Sequence, residues 1–302
     1  MDGKISNFAQ VASVRRYTFS DGKEKGLEVL DCDNGKIRFI INISKACDIM
    51  QLYHEGQNVS FISKNGFTKR KTTFSNRFEG GMLYTCGLDS LGRRDGYEMH
   101  GTIHNIPAQI VCVKCDEQGI EVQAFIYDTE LFGKNLLIKR RIFSAINSEI
   151  VTLEDILVNN GYKDEEYCLL YHINIGYPML DKGSRIIADV NEIEAGSAWA
   201  KKNKDSLFEI EDSTPNMEET CYYLRLNNNE VSLINDKIKK KFILGYSIET
   251  LPYFLEWKSM ASGDYALGLE PCTTKLDDAF NYNIIKPAES KVFQLKLKIE
   301  KF

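Results

Sequence analysis

Two segments of the sequence combine an apolar, strand-like pattern with a side chain that can transfer protons. The first is LLYHINIGYPML (169–180), which contains His172 and Asn174, and the second is YALGLE (265–270), which ends at Glu270. Strand side chains alternate between two faces, so His172 and Asn174 lie on the face opposite the isoleucines of their segment. An imidazole and a carboxylate are a suitable acid–base pair near neutral pH, so both segments are candidates for an active site.

The residues around Glu270 leave its side chain accessible. Ala266 and Gly268 share its face and are too small to block access to the carboxylate. Pro271 restricts Glu270 to an extended backbone and halts the ladder, which would hold the carboxylate at the end of a strand. Considered alone, the segment favours an exposed glutamate at a sheet edge, and a functional interpretation needs support from other residues.

A third segment, residues 74–109, is rich in groups that suit a polyhydroxylated ligand. Its glycines let the backbone approach a ligand closely, and asparagine, arginine and histidine offer the fixed hydrogen bonds that sugar hydroxyls require. A polar loop without a ligand is the alternative interpretation. The candidate residues are Asn76, Arg77, Asp89, His100, His104 and Asn105.

Three of the four histidines, His100, His104 and His172, would also suit a metal site of the cupin kind. Against this, His100 and His104 have a helix-like spacing in a segment broken by glycine and proline, and neither stands beside a carboxylate in a ligand motif. Cys112 and Cys115 have a two-residue gap, but the alternating pattern around them favours a strand with buried or half-buried thiols over zinc. We therefore expect no metal site.

The composition is that of an ordinary soluble globular protein. Hydrophobic residues make up 43% and charged residues 27% of the 302 positions, and a net charge of −5 without a basic patch argues against nucleic-acid binding. The eight cysteines favour reduced thiols over a disulfide framework. The N-terminus lacks the apolar stretch of a signal peptide, and no segment is long enough to cross a membrane. We expect a cytoplasmic protein without nucleic-acid or membrane partners.

The elements that must position these residues are strands. Period-2 patterning runs along the whole chain, and many short strands with polar turns indicate an all-β sandwich or barrel. Asp33-Asn34-Gly35 lies between two alternating apolar runs and predicts a hairpin, because Asn-Gly accepts the positive φ of a tight turn. CYYLRL (221–226) and EVSLIND (230–236) are two of the predicted strands. No linker or repeat marks a boundary, so we predict one domain over residues 1–302, with the polar stretch 201–219 as a loop.

Taken in order, several of these segments resemble the aldose 1-epimerase (galactose mutarotase-like) superfamily, particularly its branch of poorly characterised bacterial proteins. The N-terminal third fits the opening sheet that such a protein would have. The other matching stretches extend from about residue 76 to the C-terminus. They are GGMLYTCGLD, MHGTIHNIPA, LLIKRRIF, LLYHINIGYPMLDKGSRI, GLEP and IIKPAESKVFQLKLKI.

The resemblance implies a twisted β super-sandwich of antiparallel sheets with a cleft on its concave face. It also implies a cofactor-free interconversion of the α and β anomers of a monosaccharide. By its motifs, His172 would be the general acid toward the ring oxygen and Glu270 the general base on the anomeric hydroxyl. Two strands that face one cleft could hold this pair on opposite sides of a pyranose. Asn76, Arg77 and His100 match further family motifs.

The sequence departs from the better known members of that superfamily. Their separate aspartate and glutamine, which bind sugar hydroxyls, have no firm counterpart here, and Asp89 and Trp257 are the candidate substitutes. Asn174 is added as a binding residue because it shares the face of His172. Lys45-Ala46 stands where relatives tend to have Arg-Gly. These departures leave the identity of the sugar, and whether it is phosphorylated, open.

We consider three classes of function. A sugar 1-epimerase is the first, and a non-catalytic carbohydrate sensor or carrier on the same fold is the second. A pure binder has no need for both His172 and Glu270, so the pair favours the enzyme. A lyase or hydrolase would usually need paired carboxylates or a tyrosine base, and no paired-carboxylate motif lies on one strand face. The oligomeric state is left open.

Overall fold

The chain folds almost entirely into antiparallel strands, which confirms the all-β prediction. A computed structural model describes residues 3–277 and 280–302, and within these ranges the strands form a five-stranded and a thirteen-stranded sheet. The strands are β1 (Ser13–Thr18), β2 (Glu28–Asp33), β3 (Ile37–Asn42), β4 (Asp48–His54), β5 (Gln57–Asn58), β6 (Leu83–Leu88), β7 (Gln109–Asp116), β8 (Gly119–Thr129), β9 (Asn135–Ala145), β10 (Ile150–Asn159), β11 (Glu165–Ile175), β12 (Arg185–Ala195), β13 (Thr220–Asn235), β14 (Lys240–Tyr246), β15 (Tyr253–Ala261), β16 (Asp264–Cys272), β17 (Asn283–Ile285) and β18 (Ser290–Lys301).

The five-stranded sheet contains β1 to β5 in sequence order. The predicted hairpin joins β2 to β3, and Gly35 takes a φ of 91°, which favours glycine. The buried Asn34 side chain accepts the backbone N–H groups of Lys36 and Ile37, and its amide nitrogen donates toward Ser144 on β9. One asparagine therefore both closes the hairpin and attaches it to the larger sheet.

The thirteen-stranded sheet brings together strands that are distant in sequence. Its main order is β17-β11-β16-β15-β13-β14-β18-β10-β9-β8-β7, with β12 paired to β13 and β6 paired to β11. Segments 221–226 and 230–236, predicted as separate strands, form the single strand β13, so that prediction was wrong. β13 pairs with β15 through its first half and with β14 through its second, so the polar residues between them do not end the strand.

The described helices are short, and none is long and apolar enough to cross a membrane. α1 (Phe74–Arg77) precedes β6, and α2 (Ala198–Lys202) opens the excursion between β12 and β13. The polar stretch 201–219 is mainly loop, as predicted. Single turns of 3-10 helix lie at Phe8–Gln10, Ile103–Asn105 and Lys204–Ser206.

The main hydrophobic core lies between the two sheets. Residues of β2, β3 and β4 on one side join residues of β8, β9 and β10 on the other in one continuous cluster. Leu169, Tyr171 and Ile173 of β11 belong to this core, whereas Leu170 belongs to a smaller cluster on the opposite face. The period-2 pattern of this segment therefore predicted its two faces correctly.

A buried arginine links the two sheets. Arg140 on β9 is 2% exposed, and each of its five N–H donors meets an acceptor. Its guanidinium donates two hydrogen bonds of 2.7 and 2.8 Å to Asp155 on β10, and it also contacts Asp48 on β4. Asp155 in turn accepts the hydroxyl of Tyr171 at 2.8 Å. The network therefore runs from the smaller sheet to the strand that carries His172.

Replacing Arg140 by methionine should strongly destabilise the fold, because two buried carboxylates would lose their positive partner. The expected loss is about 3–5 kcal/mol in the free energy of unfolding, measured by urea denaturation. Arg141→Met is the matched control, since Arg141 and its partner Glu121 are partly exposed and their ion pair should contribute at most ~1 kcal/mol. Equal losses in the two variants would contradict a structural role for the network.

Candidate active site

His172 and Glu270 lie opposite one another on neighbouring strands. The antiparallel register of β11 and β16 pairs Asn174 with Gly268, which places His172 across from Glu270. Nε2 of His172 is 3.1 Å from Oε1 of Glu270, and the two residues are 5% and 1% exposed. The pair is thus in contact, side by side on one sheet, because the strands are adjacent. The expectation that the two residues flank a pyranose from opposite sides was wrong for this arrangement.

The neighbouring strands continue this surface across the sheet. Leu255 on β15 pairs with Glu270, and two residues along, Trp257 lies between Gly268 on β16 and Cys221 on β13. Residues two apart on a strand share a face, so these side chains point the same way as His172. Together they form the floor of a cavity of about 760 Å³.

Gly268 leaves the space in which the pair meets. A Cβ atom at this position would lie 2.5 Å from Oε1 of Glu270, 3.0 Å from Cε1 of His172 and 3.1 Å from the Trp257 ring. Any side chain here would push against all three. The small residue therefore makes room for the contact, but Glu270 is 1% exposed on a strand between β11 and β15, so the expectation of an accessible carboxylate at a sheet edge was wrong.

Aromatic side chains form the walls of the cavity. The Phe78 ring, which follows α1, is 5.5 Å from the His172 ring and 6.4 Å from the Trp257 ring, between centroids. Phe74 of α1 stacks on Phe78 at 5.0 Å and contacts His100 at 5.2 Å. The short helix therefore supplies an apolar wall above the acid–base pair. Polar groups that also line the cavity include Lys64, Asn65, Arg93, Glu219 and Asp264.

The pair is buried without the partners that usually satisfy a charge. Both carboxylate oxygens of Glu270 lack a hydrogen-bond donor among the residues that the structure describes. Burial raises the pKa of Glu270 well above its usual value, and the charge of Glu219 raises it further. Burial lowers the pKa of His172 well below its usual value, the His100 ring lowers it further, and the Asn174 amide opposes this. The free site therefore favours a neutral imidazole beside a protonated carboxyl.

His100 stands at the cavity wall with its ring 5.8 Å from that of His172. It is buried, and this burial lowers the pKa of His100 to about 4. Its Nδ1 atom has no hydrogen-bond partner within the described ranges. A neutral imidazole with an unsatisfied ring nitrogen offers one hydrogen bond to a ligand.

His104 belongs to the interior network, not to the cavity. Its Nδ1 is 2.7 Å from Oδ2 of Asp48, its Nε2 is 3.4 Å from Oε1 of Glu79, and its ring stacks on Tyr84 at 3.6 Å. Burial lowers the pKa of His104, but the two carboxylates outweigh burial and raise it. The spacing of four residues from His100 is not helical, because His100 and Gly101 take positive φ angles of 62° and 73°.

Of the other predicted binding residues, one lines the cavity and three do not. Trp257 lines the cavity, whereas Asn174 is fully buried and donates its amide N–H to the backbone carbonyl of His172 at 2.9 Å. Asn76 is exposed and bonds within its own turn, and Arg77 forms an ion pair of 3.0 Å outside the cavity lining. The roles proposed for these residues in sugar binding stay predictions.

Sequence patterns did not identify several polar residues that line the cavity, namely Lys64, Asn65, Arg93, Glu219 and Asp264, and they proposed Asp89, which lies outside the lining. Asp89, a candidate for sugar binding, instead accepts two hydrogen bonds of 2.9 Å from Thr102. Glu219 lines the cavity although it ends the predicted loop 201–219. Its spacing of two from Cys221 was the available signal, because alternation along the strand that follows puts both on one face.

Two further predictions concern a metal site and the thiols of Cys112 and Cys115. Across residues 3–277 and 280–302, no three His, Cys, Asp or Glu side chains are arranged to hold a metal ion. Cys112 and Cys115 are partly exposed free thiols on β7, at the edge of the larger sheet. The alternating pattern around them therefore predicted their strand correctly.

The chain shares its fold with solved galactose mutarotase-like proteins. A provisionally named aldose 1-epimerase from Klebsiella pneumoniae matches with a TM-score of 0.85 at 18% identity, covering 95% of this chain and 83% of that one. A galactose mutarotase-like protein from Clostridium acetobutylicum matches with 0.74 at 15% identity, covering 97% and 100%. One from Lactobacillus casei matches with 0.64 at 13% identity, covering 90% and 100%. These likenesses confirm the predicted β super-sandwich.

Sequence comparison identifies a family. Residues 24–299 match a family model described as Domain of unknown function (DUF4432). No curated protein matches the sequence. The matched range includes His172, Glu270 and strands of both sheets, so the family model spans the whole site.

The histidines should titrate over different pH ranges, which NMR of their ring protons would resolve. Burial should place the midpoint of His100 at about 4 and that of His172 below 6.5, whereas His104 should titrate above 6.5. Single His→Asn variants assign each resonance, and Glu79→Gln should lower the midpoint of His104 without moving His172. An ordinary midpoint near 6.5 for His172 would contradict the buried neutral site.

Proposed function

The chain belongs to the DUF4432 family of domains of unknown function, and we propose that it is an aldose 1-epimerase that acts on a monosaccharide. The observation that carries this proposal is the contact of His172 with Glu270, 3.1 Å apart on the floor of the cavity. Interconversion of two anomers requires an acid and a base that act on neighbouring oxygens. The names of the structural neighbours support the same class of reaction.

The spacing of the pair suits a substrate whose two reacting oxygens are bonded to one carbon. In a cyclic aldose, the anomeric hydroxyl oxygen and the ring oxygen are both attached to C1. Two side chains 3.1 Å apart can therefore each reach one of these oxygens at the same time. His172 and Glu270 need not lie on opposite sides of the sugar.

Ring opening moves two protons and breaks one bond. One member of the pair removes the proton of the anomeric hydroxyl while the other protonates the ring oxygen. The bond between C1 and the ring oxygen breaks, and C1 becomes an aldehyde carbonyl. Rotation about the C1–C2 bond presents the other carbonyl face, and the reverse transfers close the ring as the second anomer. The pair regains its protons, so no external acceptor is consumed.

His172 and Glu270 hold one transferable proton between them. Imidazolium with carboxylate and imidazole with carboxylic acid contain equal numbers of protons, so the pair titrates as a unit. The opposite pKa shifts of Glu270 and His172 favour the second form in the free site. In that form, Glu270 protonates the ring oxygen and His172 accepts the hydroxyl proton. The roles that the family resemblance implies, with His172 as acid and Glu270 as base, start from the other form of the pair, imidazolium with carboxylate.

The cavity suits a monosaccharide. Its volume of about 760 Å³ lies within the range of about 300–1,000 Å³ that is usual for small-molecule sites. Trp257 and Phe78 offer apolar ring surfaces for the C–H groups of a sugar, and the unsatisfied ring nitrogen of His100 offers a hydrogen bond. These groups would hold the sugar while the pair acts on C1.

Glu270→Gln should slow anomer exchange and leave sugar binding largely intact. Gln keeps the shape of Glu but cannot exchange a proton at neutral pH, so the rate should fall by roughly 10²- to 10⁴-fold. His172→Asn should cause a comparable loss. Exchange is measured by NMR with a panel of aldoses, and affinity by calorimetry. Exchange near the wild-type rate in Glu270→Gln would remove this residue from the mechanism.

A double variant and a control complete the test. Glu270→Gln with His172→Asn should be little slower than the slower single variant, because the two residues act in one cycle. Glu256→Gln is the matched control, since Glu256 is also fully buried but alternation on β15 turns it away from the cavity. Tight sugar binding without any exchange by the unmutated protein would favour the alternative, a carbohydrate-binding protein on this fold.

Gly268→Ala should separate the pair without removing either member. The added Cβ would press on Glu270 and His172, and a displacement of about 1 Å can lower a rate by about 10²-fold. Gly245→Ala on β14 is the control, because its Cβ would meet no atom closer than 3.5 Å. An unchanged exchange rate in Gly268→Ala would show that close contact of the pair is unnecessary.

A further inference from the structure

Glu219 anchors the indole of Trp257 in the cavity floor. Nε1 of Trp257 donates a hydrogen bond of 2.7 Å to Oε2 of Glu219, the residue directly before β13. The Trp257 ring is 5.5 Å from the His172 ring and 6.4 Å from the Phe78 ring, at interplanar angles of 71° and 87°. Rotation of the indole would break its hydrogen bond, so Glu219 fixes the orientation of the Trp257 ring in the floor.

Glu219 also acts on the acid–base pair through its charge. It lines the same cavity as Glu270, and a negative charge nearby disfavours a second negative charge on Glu270. After burial, Glu219 is the group that raises the pKa of Glu270. Glu219 is exposed, so solvent screens this effect in part, but the direction is fixed by the signs of the charges.

Arg93 also lines the cavity, but it is exposed, and burial and Glu219 are the causes of the raised pKa of Glu270. The remaining titratable groups around Glu270 do not compete with the charge of Glu219. Burial lowers the pKa of His172, which disfavours a positive charge on its ring, and Lys64 at the rim is paired with Asp264 at 2.6 Å. Three thiols face Glu270, and burial raises the pKa of each, so they stay neutral as well. They belong to Cys86, Cys221 and Cys272.

We propose that Glu219 is a positioning residue that orients Trp257 against the sugar and keeps the transferable proton of the pair on Glu270. The inference rests on the proposed epimerase function. A neutral residue at position 219 would let the pair lose its proton at a lower pH. Loss of the side chain would also release the indole.

Three variants and a control separate the two roles. Glu219→Gln removes the charge but keeps an oxygen that can accept the indole N–H, and Glu219→Ala removes both. Trp257→Phe keeps a ring but removes the N–H donor. Glu218→Gln is the matched control, because Glu218 is also exposed but does not line the cavity. The chain has two tryptophans, so all variants are made with Trp199→Phe, which leaves Trp257 as the single indole fluorophore.

The expected results differ between variants. Glu219→Gln should move the alkaline limb of the exchange-rate profile to lower pH with little change in KM. Glu219→Ala should show the same movement, altered Trp257 emission and a KM raised by about 10-fold, as the loss of a hydrogen bond to a charged group implies. Trp257→Phe should raise KM without moving the limb. Glu218→Gln should match the parent in every measurement.

An alkaline limb that stays in place in both Glu219 variants would overturn the electrostatic role. Unchanged emission and KM in Glu219→Ala would overturn the anchoring role. If the parent protein exchanges no anomers, the proposed function fails, and a substrate-free titration of Trp257 emission still tests Glu219. In that titration, the midpoint that belongs to Glu270 is the one that is absent from Glu270→Gln. This midpoint should lie at lower pH in Glu219→Gln than in the parent protein. An unchanged midpoint would overturn the inference.

Discussion

The structure depends on satisfying the charge of Arg140, which is buried between the two sheets. An unpaired guanidinium there would be very costly, and five hydrogen bonds together with Asp48 and Asp155 offset that cost. Since these partners come from separate strands, the network fixes how β4, β9 and β10 pack. Tyr171 extends it to β11. His172 stands on the other face of that strand, so the interior network supports the floor of the cavity.

The polar residues on the cavity side lack the hydrogen-bond partners that Arg140 has. Glu270 and His172 are buried about as deeply as Arg140, but the carboxylate oxygens of Glu270 and Nδ1 of His172 have no hydrogen-bond partner in the described part of the chain. Burial of this kind lowers stability and is typical of sites that complete their hydrogen bonds with a ligand. The two faces of β11 thus separate a polar network that stabilises the fold from a pair that is available for chemistry.

The sheet supplies His172 and Glu270, the proposed reacting groups, and irregular segments supply their environment. Phe78 follows the one-turn helix α1, His100 lies in a loop, and Glu219 ends the long excursion between β12 and β13. Burial of Glu270 and His172 shifts their two pKa values in opposite directions, and the charge of Glu219 adds to the shift of Glu270. A rigid floor with walls made of loops can keep the same acid–base pair while the walls select the ligand.

The sequence by itself determined the strand content, the Asn34-Gly35 hairpin and the faces on which His172 and Glu270 lie, because period-2 alternation and turn chemistry are local properties. It could not determine that β11 and β16 are neighbours, since alternation specifies a face but not the strand that pairs beside it. Contact between His172 and Glu270 was therefore decided by tertiary structure. The same holds for loop residues, whose positions depend on packing rather than on a repeating pattern. Those residues are His100 at the cavity, His104 in the interior, Asn76 and Arg77 outside the lining, and Glu219 within it.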